Sequence, residues 1–201
     1  MKITLEDFYR AAVHSGIEAD PRGKGSVLEA LKKEKENFDK LSGDEKRFYD
    51  KEKLVNPYAD TRILNNPGGN CCLEHGRLLV GIDIETPEIL LASSLLKTGA
   101  KNSDGKNRPI DVVLGHHPEG SAYARFYEVM KMQSEIFSRY GGVPINIAED
   151  LTIERLGEVS RRVAPANHQR AVDTARILGV PFLCVHTGGQ LRNLVSHPTY
   201  G

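Results

Sequence analysis

Ile110-Asp111-Val112-Val113-Leu114-Gly115-His116-His117-Pro118-Glu119-Gly120 is the stretch with the clearest chemical content. A β-branched apolar run, too short for a helix, ends in Gly, two imidazoles and Pro. That is how a buried strand delivers polar groups to a sheet edge, and such edges are where α/β proteins bind ligands. Neighbouring strand residues normally point to opposite faces. Gly115 and Pro118 end the pleat, so His116 and His117 can diverge only slightly and each hold a metal ion. The competing reading is two histidines in a solvated turn.

A second apolar run, Pro181-Phe182-Leu183-Cys184-Val185, also ends in an imidazole, His186. In a parallel sheet joined by helices all carboxyl ends lie on one side. His116, His117 and His186 are therefore expected to converge, with Asp83, Glu85 and Glu119 able to join them. The chemistry this suggests is metal-assisted hydrolysis. A cation on His116 and His117 would make water reactive near neutral pH, and Glu119 or His186 would move the proton.

Two other motifs carry less. Cys72-Leu73-Glu74-His75 has the shape of half a zinc site, but no second half is visible and a turn before the next strand is the better reading. Lys24 among glycines lacks the G-x-x-x-x-G-K-[ST] spacing of a phosphate loop and follows no strand. The cysteines Cys71, Cys72 and Cys184 are odd in number and form no C-x-x-C pair, so they indicate neither a disulfide framework nor a thiol redox motif.

The elements that must position these groups begin with a helix from Thr4 to about Ser15, capped by Thr4. Ser26 with Glu29 and Ser42 with Glu45 have capping-box spacing, which predicts two charged helices over 27–41 and 43–54. They read as a solvated hairpin packed through Val27, Leu28, Leu31, Phe38, Leu41, Phe48 and Leu54, and mixed charge of this kind usually marks a wet face. Residues 56–64 lead into a loop at 65–70. From there strands and helices alternate. A strand covers 77–84, a helix capped at Thr86 runs to about Lys97, and 101–109 is a polar loop before the central strand. A long helix follows from Ser121 to Tyr140, its Met and aromatic residues at core spacing. A brief strand at 143–148, a helix at 151–162 and a helix opened by Pro165 with Gly179 at its C-cap complete the pattern. The expected fold is α/β, a mixed or parallel sheet flanked by helices with an N-terminal helical extension. The boundary falls near residue 66, with a helical hairpin over 1–66 and a metal-site domain over 67–201.

The chain has 201 residues with 27 basic and 27 acidic side chains, so its formal net charge is zero. No broad basic field is available for nucleic acid. No apolar run reaches membrane-spanning length and no secretory segment opens the sequence, so the expectation is a cytoplasmic protein without membrane contact.

Taken together, Val80-Gly81-Ile82-Asp83, Val113-Leu114-Gly115-His116-His117-Pro118, and Asn167-His168-Gln169-Arg170-Ala171 with Cys184-Val185-His186-Thr187 resemble a known family. It comprises the dinuclear-metal, ring-forming hexameric proteins labelled GTP cyclohydrolase type 2 homologues, or interacting-factor-three-like proteins. The segments over 16–23 and 56–58 resemble its archaeal-type branch. The resemblance implies divalent ions (Zn, Mn or Fe) on His116 and His117, a homo-oligomer, and a purine nucleotide as small-molecule substrate. It also implies an Asp four residues after His186, where this sequence has Gln190, and a C-terminal His/Glu pair. His197 has no acid four residues later. An amide bridges two cations poorly, and Arg192 adds a charge of the wrong sign. The expectation is a partial site with a truncated or altered C-terminus, with Leu191, Leu194 and Val195 loosely held. The alternatives to an enzyme are a non-enzymatic oligomeric binding or assembly protein and an incomplete family member.

Overall fold

The computed structural model describes residues 2–163 and 166–186. Its strands are β1 Ile3–Thr4, β2 Arg62–Asn65, β3 Cys72–Leu73, β4 Leu78–Gly81, β5 Ala100–Lys101, β6 Asn107–Arg108, β7 Val112–Gly115 and β8 Phe182–Cys184. The helices are α1 Leu5–Ala19, α2 Lys24–Lys40, α3 Gly43–Phe48, α4 Thr86–Thr98, α5 Gly120–Ala124, α6 Phe126–Val129, α7 Met132–Gly141, α8 Ile145–Val163 and α9 Arg170–Leu178.

Four strands form the main sheet in the order β2-β8-β7-β4. β4, β7 and β8 run parallel, with Gly81 opposite Gly115 and Gly115 opposite Cys184, while β2 is antiparallel to β8. Strand residues alternate between two apolar layers, as the pleat requires. Val113 and Phe182 point into one layer with Ile89 and Ala92 of α4 and Val172 and Ala175 of α9. Val112, Leu114 and Leu183 point into the other with Leu5 and Ala12 of α1. This is a mixed sheet flanked by helices, as the patterning predicts. Among the described residues no helix is long and apolar enough to cross a membrane.

α1 starts as its sequence dictates: Thr4 Oγ1 accepts from Asp7 N, and Asp7 Oδ2 accepts from Thr4 N. It runs past Ser15 to Ala19 because Ile17 prolongs the buried stripe set by Tyr9 and Val13, against Val27 and Tyr58. The Ser42–Glu45 capping box forms. The Ser26–Glu29 box does not, because α2 begins at Lys24, three residues earlier than expected, behind Gly23.

Several expectations over 43–54 and 121–163 are corrected. The helix expected over 43–54 stops at Phe48, since Tyr49 turns back to bond Glu34 and tilt against Phe38, and Asp50 caps a separate 3-10 turn, Lys51–Leu54. Phe48 and Leu28, expected in the hairpin core, are exposed. The helix expected from Ser121 to Tyr140 is three pieces, separated at Arg125 and at Met130 and Lys131, and Arg125, with φ of −112° and ψ of 3°, leaves the helical region while its guanidinium pairs with Asp50. The strand expected at 143–148 is instead the start of α8. Ala148 N bonds Pro144 O, and Thr152 of the same helix hydrogen-bonds Ser134 of α7. Alternating Val143, Ile145 and Ile147 mimic a strand, but Ile145 and Ile147 end up exposed on a helix. The helix cap falls on Glu85, not Thr86. Pro165 lies outside the described residues, and α9 begins at Arg170.

Candidate metal site

β7 and β8 are hydrogen-bonded neighbours in parallel register, so their carboxyl ends open side by side. Val185 N donates to Gly115 O, and His116 N and His117 N donate to Gly81 O and Ile82 O. The backbone after β7 is thereby clamped between β4 and β8 as it leaves the sheet. The result is a triangle of imidazoles. Ring centroids of His116 and His186 are 4.9 Å apart, of His116 and His117 5.1 Å, and of His117 and His186 5.7 Å. One ligand atom from each of the three can be chosen so that all lie within 4.8 Å of one another.

Two carboxylates orient two of these rings. Asp83 Oδ1 lies 2.6 Å from His117 Nδ1, and Asp60 Oδ2 lies 2.8 Å from His186 Nδ1. His116 differs, since its Nδ1 is buried with no hydrogen-bond partner among the described residues. Burial, with the neighbouring imidazoles of His186 and His117, pushes the pKa of His116 down. The shift favours the neutral ring, which has a lone pair to offer. An orphaned buried nitrogen beside two further imidazoles fits a cation ligand set, and nitrogen donors suit transition metals better than Mg or Ca.

Glu119 stands in a different group. With Glu85, Thr86, Arg170 and Ala171 it lines a hollow of about 20 Å³. Burial, then the charge of Glu85, raises its pKa to about 7, against the opposing pull of Arg170. Asp83 reaches the imidazoles as a hydrogen-bond partner, whereas Glu85 faces Glu119. Cys72, Glu74 and His75 form no metal-ligating cluster among the described residues. Larger hollows of about 340 and 350 Å³ lie elsewhere, by Arg22, Lys53 and Tyr127 and along α1. Their polar groups are largely paired within the protein, so the chemistry favours the sheet edge.

Asp60 is the residue that sequence reasoning missed. It sits just before β2, in a stretch read only as a lead-in, and is 1% exposed. The short run Arg62-Ile63-Leu64 held the strand signal that would have brought Asp60 to the sheet. Gln190, Leu191, Arg192, Leu194, Val195 and His197 all lie outside the described residues.

The solved structure of a NIF3 superfamily protein from Sphaerobacter thermophilus is similar to this one, with 30% sequence identity and a TM-score of 0.52. The similarity covers 68% of this chain and 44% of that chain, so the match spans less than half of the relative's length. No family model matches the sequence, and no curated protein does. The likeness agrees with the α/β fold and supports membership of the NIF3 superfamily.

Proposed function

We propose that this chain, as a NIF3 superfamily member, binds a divalent metal ion through His116, His117 and His186 and uses it to hydrolyse a small molecule, with a purine nucleotide the first substrate to test. The observation that carries this reading is the buried, unpartnered Nδ1 of His116 beside two other imidazoles. Three neutral nitrogen donors suit Zn or Fe better than Mn, which favours carboxylate oxygens. Such an ion would supply Lewis acidity toward a carbonyl or phosphoryl oxygen and toward water. His186, with Nδ1 given to Asp60 and its other nitrogen given to the ion, would have none left for proton transfer. We assign that task to Glu119, which follows His117 by two residues but lines its own hollow with Glu85 and Arg170, so that water or substrate must bridge it to the ion.

Metal analysis of untagged protein tests the reading. About one equivalent of Zn or Fe per chain supports it, and less than about a tenth of an equivalent, after incubation with either metal, ends it. His116→Ala/His117→Ala should abolish both metal retention and nucleotide hydrolysis.

A second reading, self-association, is favoured by β4. It is an edge strand of the main sheet, and Val80 within it and Ile82 just past its end are 57% and 62% exposed. Val80→Asp should then reduce the mass measured by sedimentation, whereas a monomeric parent protein would remove this reading.

A further inference from the structure

Asp60 is 1% exposed, and its carboxylate lies 2.8 Å from His186 Nδ1. An ionised carboxylate only accepts hydrogen bonds, so the contact requires a proton on Nδ1, and in the neutral ring the lone pair then lies on Nε2. The chain on both sides of Asp60 is fixed by side chains. Asn56 Oδ1 accepts from Tyr58 N, Asn56 Nδ2 donates to Thr61 O, and Arg62 Nε donates to Ala59 O. Tyr58 is fully buried and its hydroxyl donates to Asp20 Oδ2, which ties the turn to the end of α1. The matching pair on the other ring is looser. The Asp83 side chain is 72% exposed, so water competes with His117 for it.

We propose that Asp60 is a positioning residue, holding His186 as its Nδ1–H tautomer with Nε2 turned toward His116 and His117, so that the N-terminal region supplies part of the site. The significance for metal binding rests on the reading above, but the tautomer does not. A ring held by a buried carboxylate on a turn braced by Asn56 and Arg62 arrives oriented, and loss of such an outer partner typically weakens metal binding by about 10- to 100-fold.

The test uses the metal-free full chain. Long-range proton–nitrogen correlation spectra, with His186 assigned by comparison with His186→Gln, should show hydrogen on Nδ1 in the parent protein. In Asp60→Asn and Asp60→Ala that tautomer should lose population. A parent ring carrying hydrogen on Nε2, whether alone or together with Nδ1, overturns the proposal, and this needs no variant to fold. Calorimetric titration with Zn²⁺ should then show affinity about 10- to 100-fold lower in folded Asp60→Asn, while Asp83→Asn changes it less. Unchanged affinity in a folded Asp60 variant overturns the positioning role. If no form binds Zn²⁺, the metal reading fails separately, and the spectrum alone decides the tautomer.

Discussion

The imidazoles of His116 and His186 face one another with centroids 4.9 Å apart and planes 30° from parallel, one just past the end of β7 and the other two residues past β8. Nothing in either local segment requires this. It follows from parallel pairing of β7 with β8, which sets Gly115 beside Cys184. Two imidazoles held face to face, one with an orphaned buried nitrogen, are poised to gain more from a cation than from water. A metal that binds only the folded chain stabilises it by linkage, about 2.7 kcal/mol at a hundredfold excess over Kd. For a chain of this length that corresponds to roughly 5–10 °C in Tm. Differential scanning calorimetry with and without Zn²⁺ should show the rise in the parent protein and not in His116→Ala/His117→Ala. An equal rise in both would place the bound metal elsewhere.

Acid should weaken the fold through Asp20. Its side chain is fully buried, and Arg22 donates to it from Nε and Nη2 while Tyr58 donates from its hydroxyl. Burial pushes the carboxyl upward, but the hydrogen bonds and charge of Arg22 outweigh it and the net pKa is lowered. A group whose folded pKa lies below its unfolded value stabilises the fold above the unfolded value, about 3.9 for Asp. That contribution disappears as pH falls through the folded pKa. Asp50, held down by Arg62 and Arg125 against its own burial, acts in the same direction. Urea midpoints should therefore fall below about pH 4, and less steeply in Asp20→Asn. Arg22→Ala should cost about 3–5 kcal/mol near neutrality, because it strands a buried charge.

The sheet and its site were legible to different depths, for physical reasons. β7, β8 and their terminal histidines are apolar runs cut off by polar groups, a signal contained in a few residues. Convergence followed from a rule of topology. Asp60 was not legible in the same way, because a buried acid in a turn looks like any loop Asp until its distant partner is in place. The strand predicted at 143–148 failed because alternation at Val143, Ile145 and Ile147 fits an edge strand and an exposed helix start equally well. Packing against α7 decides between them. The break at Arg125 is likewise a tertiary effect, since only the position of Asp50 explains it.

Thiol chemistry should divide the cysteines by depth. Cys184 lies inside β8 with no exposure, and burial pushes its pKa up to about 12. A neutral, enclosed thiol reacts slowly because the thiolate is the nucleophile. Cys71 and Cys72 are partly exposed, and burial raises the pKa of Cys71 as well. Iodoacetamide labelling followed by mass spectrometry should modify Cys72 first, Cys71 more slowly, and Cys184 only after urea unfolds the chain. Early modification of Cys184 would mean that β8 opens without global unfolding.

Gly120 couples the site loop to the core, and a pair of substitutions exposes that coupling. It follows Glu119 directly, its φ is +56°, and its N–H donates to His168 O at 2.9 Å. A Cβ there would stand 2.7 Å from Val172 Cγ2, and Val172 is buried between α9 and the sheet. Gly120→Ala therefore meets two penalties, a left-handed backbone that disfavours side chains and a collision with a branched core residue. The expected loss is about 1–3 kcal/mol, read from urea midpoints. Val172→Ala alone also destabilises, by leaving a cavity, but it removes the methyl that obstructs the new Cβ. The double variant should then be more stable than the sum of the two losses predicts, leaving only the backbone term at Gly120. Strict additivity would show that the collision contributes nothing and that the left-handed conformation alone requires glycine beside Glu119.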